Sequence, residues 1–101
     1  MLVTFKTKRY SNIVMFGDVG KRLLQLMGHS GTVPGAITAE DVPAALEKLR
    51  AGLAVHGKEV VGERREDDER DGPPIDLSHR AVPLIELLES AVANDADVMW
   101  N

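Results

Sequence analysis

Leu2-Val3-Thr4-Phe5-Lys6-Thr7 is the stretch that decides the fold class. In an extended chain successive side chains point to opposite faces, so Val3 and Phe5 share a core-facing side and Leu2, Thr4 and Lys6 the other. β-Branched and aromatic residues dominate the run, as they do in strands. A second signal of this kind closes the chain at Asp97-Val98-Met99-Trp100. The simplest way to satisfy the backbones of two such terminal strands is to pair them in one sheet, and the pattern leaves their relative direction open.

Between these ends the period changes. Met15, Phe16, Val19, Leu23, Leu26 and Met27 recur at spacings of three and four, which predicts an amphipathic helix after the polar break at Lys8–Asn12. Gly17 and Gly20 each weaken its first part by about 1 kcal/mol relative to Ala. Extended backbone over Val14–Phe16 is the alternative. Gly28 is the expected helix stop, because glycine accepts the left-handed conformation found there. Gly28, Gly31, Pro34 and Gly35 then make a loop, followed by a short strand near residues 36–38. Asp41 is the expected cap of a second helix, with Pro43 in its first turn and a stripe of Val42, Ala45, Leu46, Leu49 and Leu53 ending near Ala54. A third helix is expected from about Ser78 to Val92, capped by Ser78 or Asp76, with a kink or break at Pro83. The class is therefore α+β: a small sheet of the N-terminal and C-terminal strands, with a third short strand near 36–38, packed against three helices.

The chain has 101 residues, which suits a single domain over 1–101. Cysteine is absent, so neither a disulfide framework nor a thiolate metal site is expected. No leader pattern opens the sequence, and no apolar run approaches the roughly 20 residues needed to cross a bilayer. The expectation is a cytoplasmic protein without a membrane partner. Net charge is −4, distributed as +3 over residues 1–57, −3 over 58–71 and −4 over 72–101. That balance, with 4% aromatic residues, argues against nucleic acid as a partner. Residues 58–74 contain the run GERREDDERDGPP and read as a charged, flexible segment, or else as an acidic interaction segment.

Candidate chemistry concentrates at Gly28-His29-Ser30-Gly31-Thr32. The run fails as a nucleophile elbow, because Thr32 stands where the second glycine of G-x-S-x-G belongs. Gly20-Lys21-Arg22 fails as a phosphate-binding P-loop, because Arg22 replaces the hydroxyl residue and Met15 the first glycine. What survives is a loop whose N–H groups, with Ser30 and Thr32, hold a small anionic ligand, aided by His29 and by Arg80, the lone cation of the acidic C-terminal part. The competing reading gives the glycines only a chain reversal. His29, His56 and His79 match no metal-ligand spacing, and no cofactor is expected. His29 with Glu86 or Glu89 is an acid–base pair only if the fold brings them together. Lys6, Lys8, Arg9, Lys21 and Arg22 read either as a basic patch or as ordinary surface charge. Met15, Met27 and Met99 read as core filling.

The segments LVTFK (2–6), VMFGDV (14–19), LLQLMGHSGTVPGAITAEDVPAALEKL (23–49), RAVPLIELLESA (80–91) and DVMW (97–100) resemble a family of short bacterial proteins classed as domain of unknown function 1840. The likeness covers nearly the whole chain outside the charged segment. It implies a bacterial origin and a compact domain, and it supplies no activity and no catalytic residue to carry over. The functional expectation is a small non-enzymatic domain that self-associates as a homodimer or binds a protein partner. The alternative is an anion-binding or catalytic protein built on Gly28–Gly35, with His29, Ser30, Thr32 and Arg80 at the ligand.

Overall fold

The computed structural model describes residues 2–60 and 76–101. The charged segment expected at 58–74 lies, from residue 61 onward, outside the described residues. Strand β1 spans Leu2–Thr7, with Val3 and Phe5 buried as the alternation requires. The chain then reverses through Lys8–Arg9 into β2, Tyr10–Phe16, and the two strands pair antiparallel with Val3 opposite Met15 and Phe5 opposite Ile13. This hairpin corrects the expected polar break. Arg9 takes the left-handed conformation (φ 62°) that such tight turns use, although glycine or asparagine fills it more often.

Ser11 and Asn12 both lie opposite Lys6, so β2 carries a one-residue bulge. Past the bulge Tyr10 faces the helices, where its hydroxyl donates to Glu86 Oε2 at 3.2 Å. Helix α1 runs Gly17–Leu26, so Met15 and Phe16 are strand residues and the extended alternative for Val14–Phe16 holds. Gly28 stops α1 as expected: its φ is +85°, and the N–H groups of Gly28 and His29 donate to the carbonyls of Gln25 and Leu24.

Strand β3 is Gly35–Ile37, one residue earlier than expected. Helix α2 spans Val42–His56, two residues beyond the expected end, with Pro43 in its first turn. Asp41 occupies the cap position but adopts helical angles, and its carboxylate makes no capping bond. Its Oδ2 accepts from the Thr38 hydroxyl instead, while the Thr38 carbonyl takes the N–H groups of Asp41 and Val42. Helix α3, Leu77–Ala93, runs unbroken through Pro83, which lies exposed. Asp76 caps it by accepting from the backbone N–H of His79 at 3.1 Å.

Strand β4, Val98–Trp100, pairs antiparallel with β1 on one side and β3 on the other. The sheet order is β2-β1-β4-β3, antiparallel throughout. Helices α1 and α3 cover one side of it, and α2 packs on α1 and α3. Val3, Phe5, Val98 and Trp100 from the sheet meet Leu23, Leu24, Leu49, Leu84, Leu87 and Leu88 in the core, all 1% exposed or less. The opposite side of the sheet has no layer over it among the described residues.

Candidate functional site

Three of the four residues singled out for ligand binding, His29, Ser30 and Thr32, lie together in the Gly28–Gly35 loop, and the loop is wrapped around Trp100. The indole N–H donates to the Thr32 carbonyl at 2.8 Å. The His29 ring stands edge-on to the indole, with centroids 4.8 Å apart and planes at 89°. Gly35 passes so close that a Cβ there would lie 2.5–2.7 Å from three indole atoms. Gly31 has φ +87°, and its N–H points to His29 Nδ1 at 3.4 Å. Ser30 and Thr32 share a hydroxyl–hydroxyl bond of 2.8 Å. The bonds made by Gly28, His29, Gly31, the two hydroxyls and the Thr32 carbonyl are thus directed to α1, to Trp100 and to one another.

Arg80 lies on a different element, α3. It sits half-buried in the first turns of α3, whose start is tied to the end of α2 by the Ser78 N–H to the Gly57 carbonyl. The loop instead lies beside Lys48, since a Cβ at Gly28 would meet Lys48 Nζ at 3.1 Å. Lys48 and Gly57 are separated by about 13 Å along α2. Lys48 is therefore a cation beside the loop, a neighbour that sequence reasoning missed and that no spacing rule signals. The two carboxylates considered for His29 are engaged elsewhere: Glu86 accepts from Tyr10, and Glu89 pairs with Arg50 at 2.7 Å. The expected basic patch also divides. Lys8 and Arg9 form the β1–β2 turn, whereas Arg22 makes two bonds to Glu59, at 3.0 and 3.1 Å.

Glu59 is the centre of a clasp. It receives Arg22 from α1 and His56 from the end of α2, and its carbonyl accepts from the N–H of Leu77 at the start of α3. The hydrogen bond from Arg22 holds the Glu59 carboxyl below the usual carboxylate range, against an opposing push from burial, with His56 adding a smaller effect in the same direction as Arg22. Side-chain charges near the surface thus join α1 to the end of α2, and a backbone hydrogen bond adds the start of α3.

The remaining feature is the uncovered side of the sheet. Outward residues of β1 and β2 stand directly opposite one another, Leu2 by Phe16 and Thr4 by Val14, and Met99 lies between Lys6 and Ala36. Leu2, Val14, Phe16 and Met99 are 58%, 57%, 60% and 53% exposed. Met99 is therefore a surface residue and not the core filling expected of it, while Met27 is buried and Met15 half-buried. Recognising β2 by the alternation Ile13-Val14-Met15-Phe16 is the signal that would have found this strip. Beside it, a cleft of about 380 Å³ is lined by Lys6 and Lys8 but also by Asp95 and Asp97, a mixed-charge wall with no bias toward either sign of ligand.

Among the described residues no group of three or more His, Asp or Glu side chains is arranged to hold a metal ion, and no helix is long and apolar enough to cross a membrane. No curated protein and no solved structure matches the chain. A family model described as a domain of unknown function (DUF1840) matches residues 1–100, end to end with the sheet and helices described above, and the chain belongs to that family.

Proposed function

We propose that this protein is a non-enzymatic, cytoplasmic domain that works by binding protein through the open side of its sheet. The observation that carries the reading is the contiguous strip of Leu2, Val14 and Phe16, each more than half exposed although each is large and apolar. A single exposed leucine is ordinary, but neighbouring apolar side chains on a flat sheet face are the usual mark of a docking surface. The Gly28–Gly35 loop supports the reading indirectly, because its glycines have structural roles: Gly35 makes room for Trp100, and Gly28 and Gly31 have positive φ.

Analytical ultracentrifugation of the wild-type chain and of a Leu2→Lys/Phe16→Lys chain tests it. The wild type is expected to show reversible association as its concentration rises into the micromolar range, and the double variant to stay monomeric with the same circular dichroism spectrum. Association of equal strength in both chains would remove the strip from the account.

A further inference from the structure

We propose that the β2 edge, which borders the open side, receives a second copy of this chain, joined antiparallel so that two four-stranded sheets become one of eight strands. This rests on the docking reading above and adds the occupant and the mode of pairing.

The backbone directions come from one pair. Thr4 and Asn101 exchange both N–H···O bonds, at 2.9 and 3.1 Å, so Thr4 turns its backbone groups toward β4. In an antiparallel ladder these directions alternate, so Val3 and Phe5 turn theirs toward β2. Their partners Met15 and Ile13 are thereby bonded to β1, and Val14 and Phe16 direct their N–H and C=O groups to the outer edge. Nothing among the described residues pairs with that edge.

Edge strands usually carry a charge, a proline or a bulge that discourages pairing. Tyr10–Phe16 contains neither charge nor proline, and its bulge at Ser11–Asn12 affects only the first half. The other edge, β3, is three residues long and follows Pro34. Among the described residues only β2 presents an unguarded stretch.

The charges at its two ends select a second copy. The exposed pair Lys8–Arg9 precedes β2, and exposed Asp18 follows it. An antiparallel pair centred on Val14 sets Val14 opposite its own copy, Phe16 opposite Asn12 of the other, and each Lys8–Arg9 turn near the other copy's Asp18. The two-fold symmetry makes that attraction twice. Parallel pairing would oppose like charges instead. On the open side, Val14 stands beside its own copy and Phe16 beside the other copy's Asn12, with Phe16 and the other Val14 diagonal to one another, and each loses part of its exposure to water.

Three chains decide the matter, each full-length. Wild type is expected to approach twice the monomer mass in sedimentation equilibrium, more weakly in high salt. Val14→Pro removes one edge N–H without touching the β1–β2 ladder and is expected to weaken the dimer at least tenfold. The sequence has no cysteine, so Val14→Cys under mild oxidation reports the register cleanly. It is expected to cross-link, whereas Phe16→Cys, about 13 Å from its own copy in this register, is not. A wild type that stays monomeric to the highest soluble concentration overturns the proposal. Association that survives Val14→Pro and cross-links through Phe16→Cys overturns the β2 pairing, and its loss in Leu2→Lys/Phe16→Lys leaves the docking reading standing.

Discussion

Replacing Gly35 with alanine is the sharpest test of how the glycine-rich loop earns its sequence. The new Cβ would stand 2.5 Å from Trp100 Cζ2, 2.6 Å from Cε2 and 2.7 Å from Nε1. Ordinary carbon contacts begin about 1 Å further out. The indole has little room to retreat: its other neighbours include Phe5 at a centroid distance of 6.1 Å and His29 at 4.8 Å. Overpacking of this sort costs about 1–3 kcal/mol. Any shift also strains the 2.8 Å bond from Nε1 to the Thr32 carbonyl, and a buried donor left without its partner costs about 1–3 kcal/mol. One displacement causes both effects, so they overlap, and a net loss of about 2–4 kcal/mol is expected. Against a total of about 5–15 kcal/mol for a domain of this size, the loss lowers Tm by at least about 8 °C. Trp100 is the sole tryptophan, so guanidinium unfolding followed by its emission reads the stability and the local environment together. A loss below about 0.5 kcal/mol, the scatter of neutral surface changes, with unchanged native emission would refute the close-packing account.

Other perturbations separate the remaining interactions. Ser30→Ala with Thr32→Ala removes only an exposed hydroxyl pair and should alter stability by less than about 0.5 kcal/mol in the same assay. Leu84→Ala empties a fully buried site under the sheet and should cost about 2–5 kcal/mol. Glu59→Gln loosens the clasp to Arg22. Because the folded carboxyl is held low, its contribution is present above the ordinary carboxylate range and fades as pH falls through the lowered folded value. Denaturation curves of the two chains should therefore differ at neutral pH and converge in acid. The sole tyrosine, Tyr10, should titrate above the ordinary phenol range in absorbance, through burial first and the Glu86 carboxylate second. Glu86→Gln should return it only part of the way. Phosphate or pyrophosphate should leave Tm unchanged; a rise abolished by Lys48→Ala would restore an anion site at the loop.

Much of the architecture is legible because its elements carry strong periods. Val3 and Phe5, then Val19, Leu23 and Met27, and Leu77, Ala81, Leu84 and Leu88 repeat with the spacing of the element they form, and the structure buries them accordingly. Asp76 and Gly28 punctuate helices through local chemistry, so the sequence reveals them too. Pro83 is accommodated because it lies on the exposed side of α3, where the carbonyl it leaves unpaired can meet water. The reason for Gly35 is not local. It depends on an indole 65 residues further along, and no window of sequence joins the two.

The hairpin was hidden for a related reason, and the consequence falls on the candidate site. Lys8-Arg9-Tyr10-Ser11-Asn12 has no apolar alternation, because a tight turn and a bulge occupy it. Met15 and Phe16 also fit the spacing of Val19 and Leu23, so a helical count absorbs them. In that count Phe16 lies on the buried stripe of a helix. In the strand it stands opposite Leu2 on the open side of the sheet, 60% exposed. Moving the helix start from Met15 to Gly17 thus carries a large aromatic side chain from the core to the surface, and it creates the β2 edge at the same time. The two features that support docking, the apolar strip and the unguarded edge, arise from that one boundary. Weakening the strand at Val14 tests the boundary as well as the interface, because a helical residue there would have no edge N–H to lose.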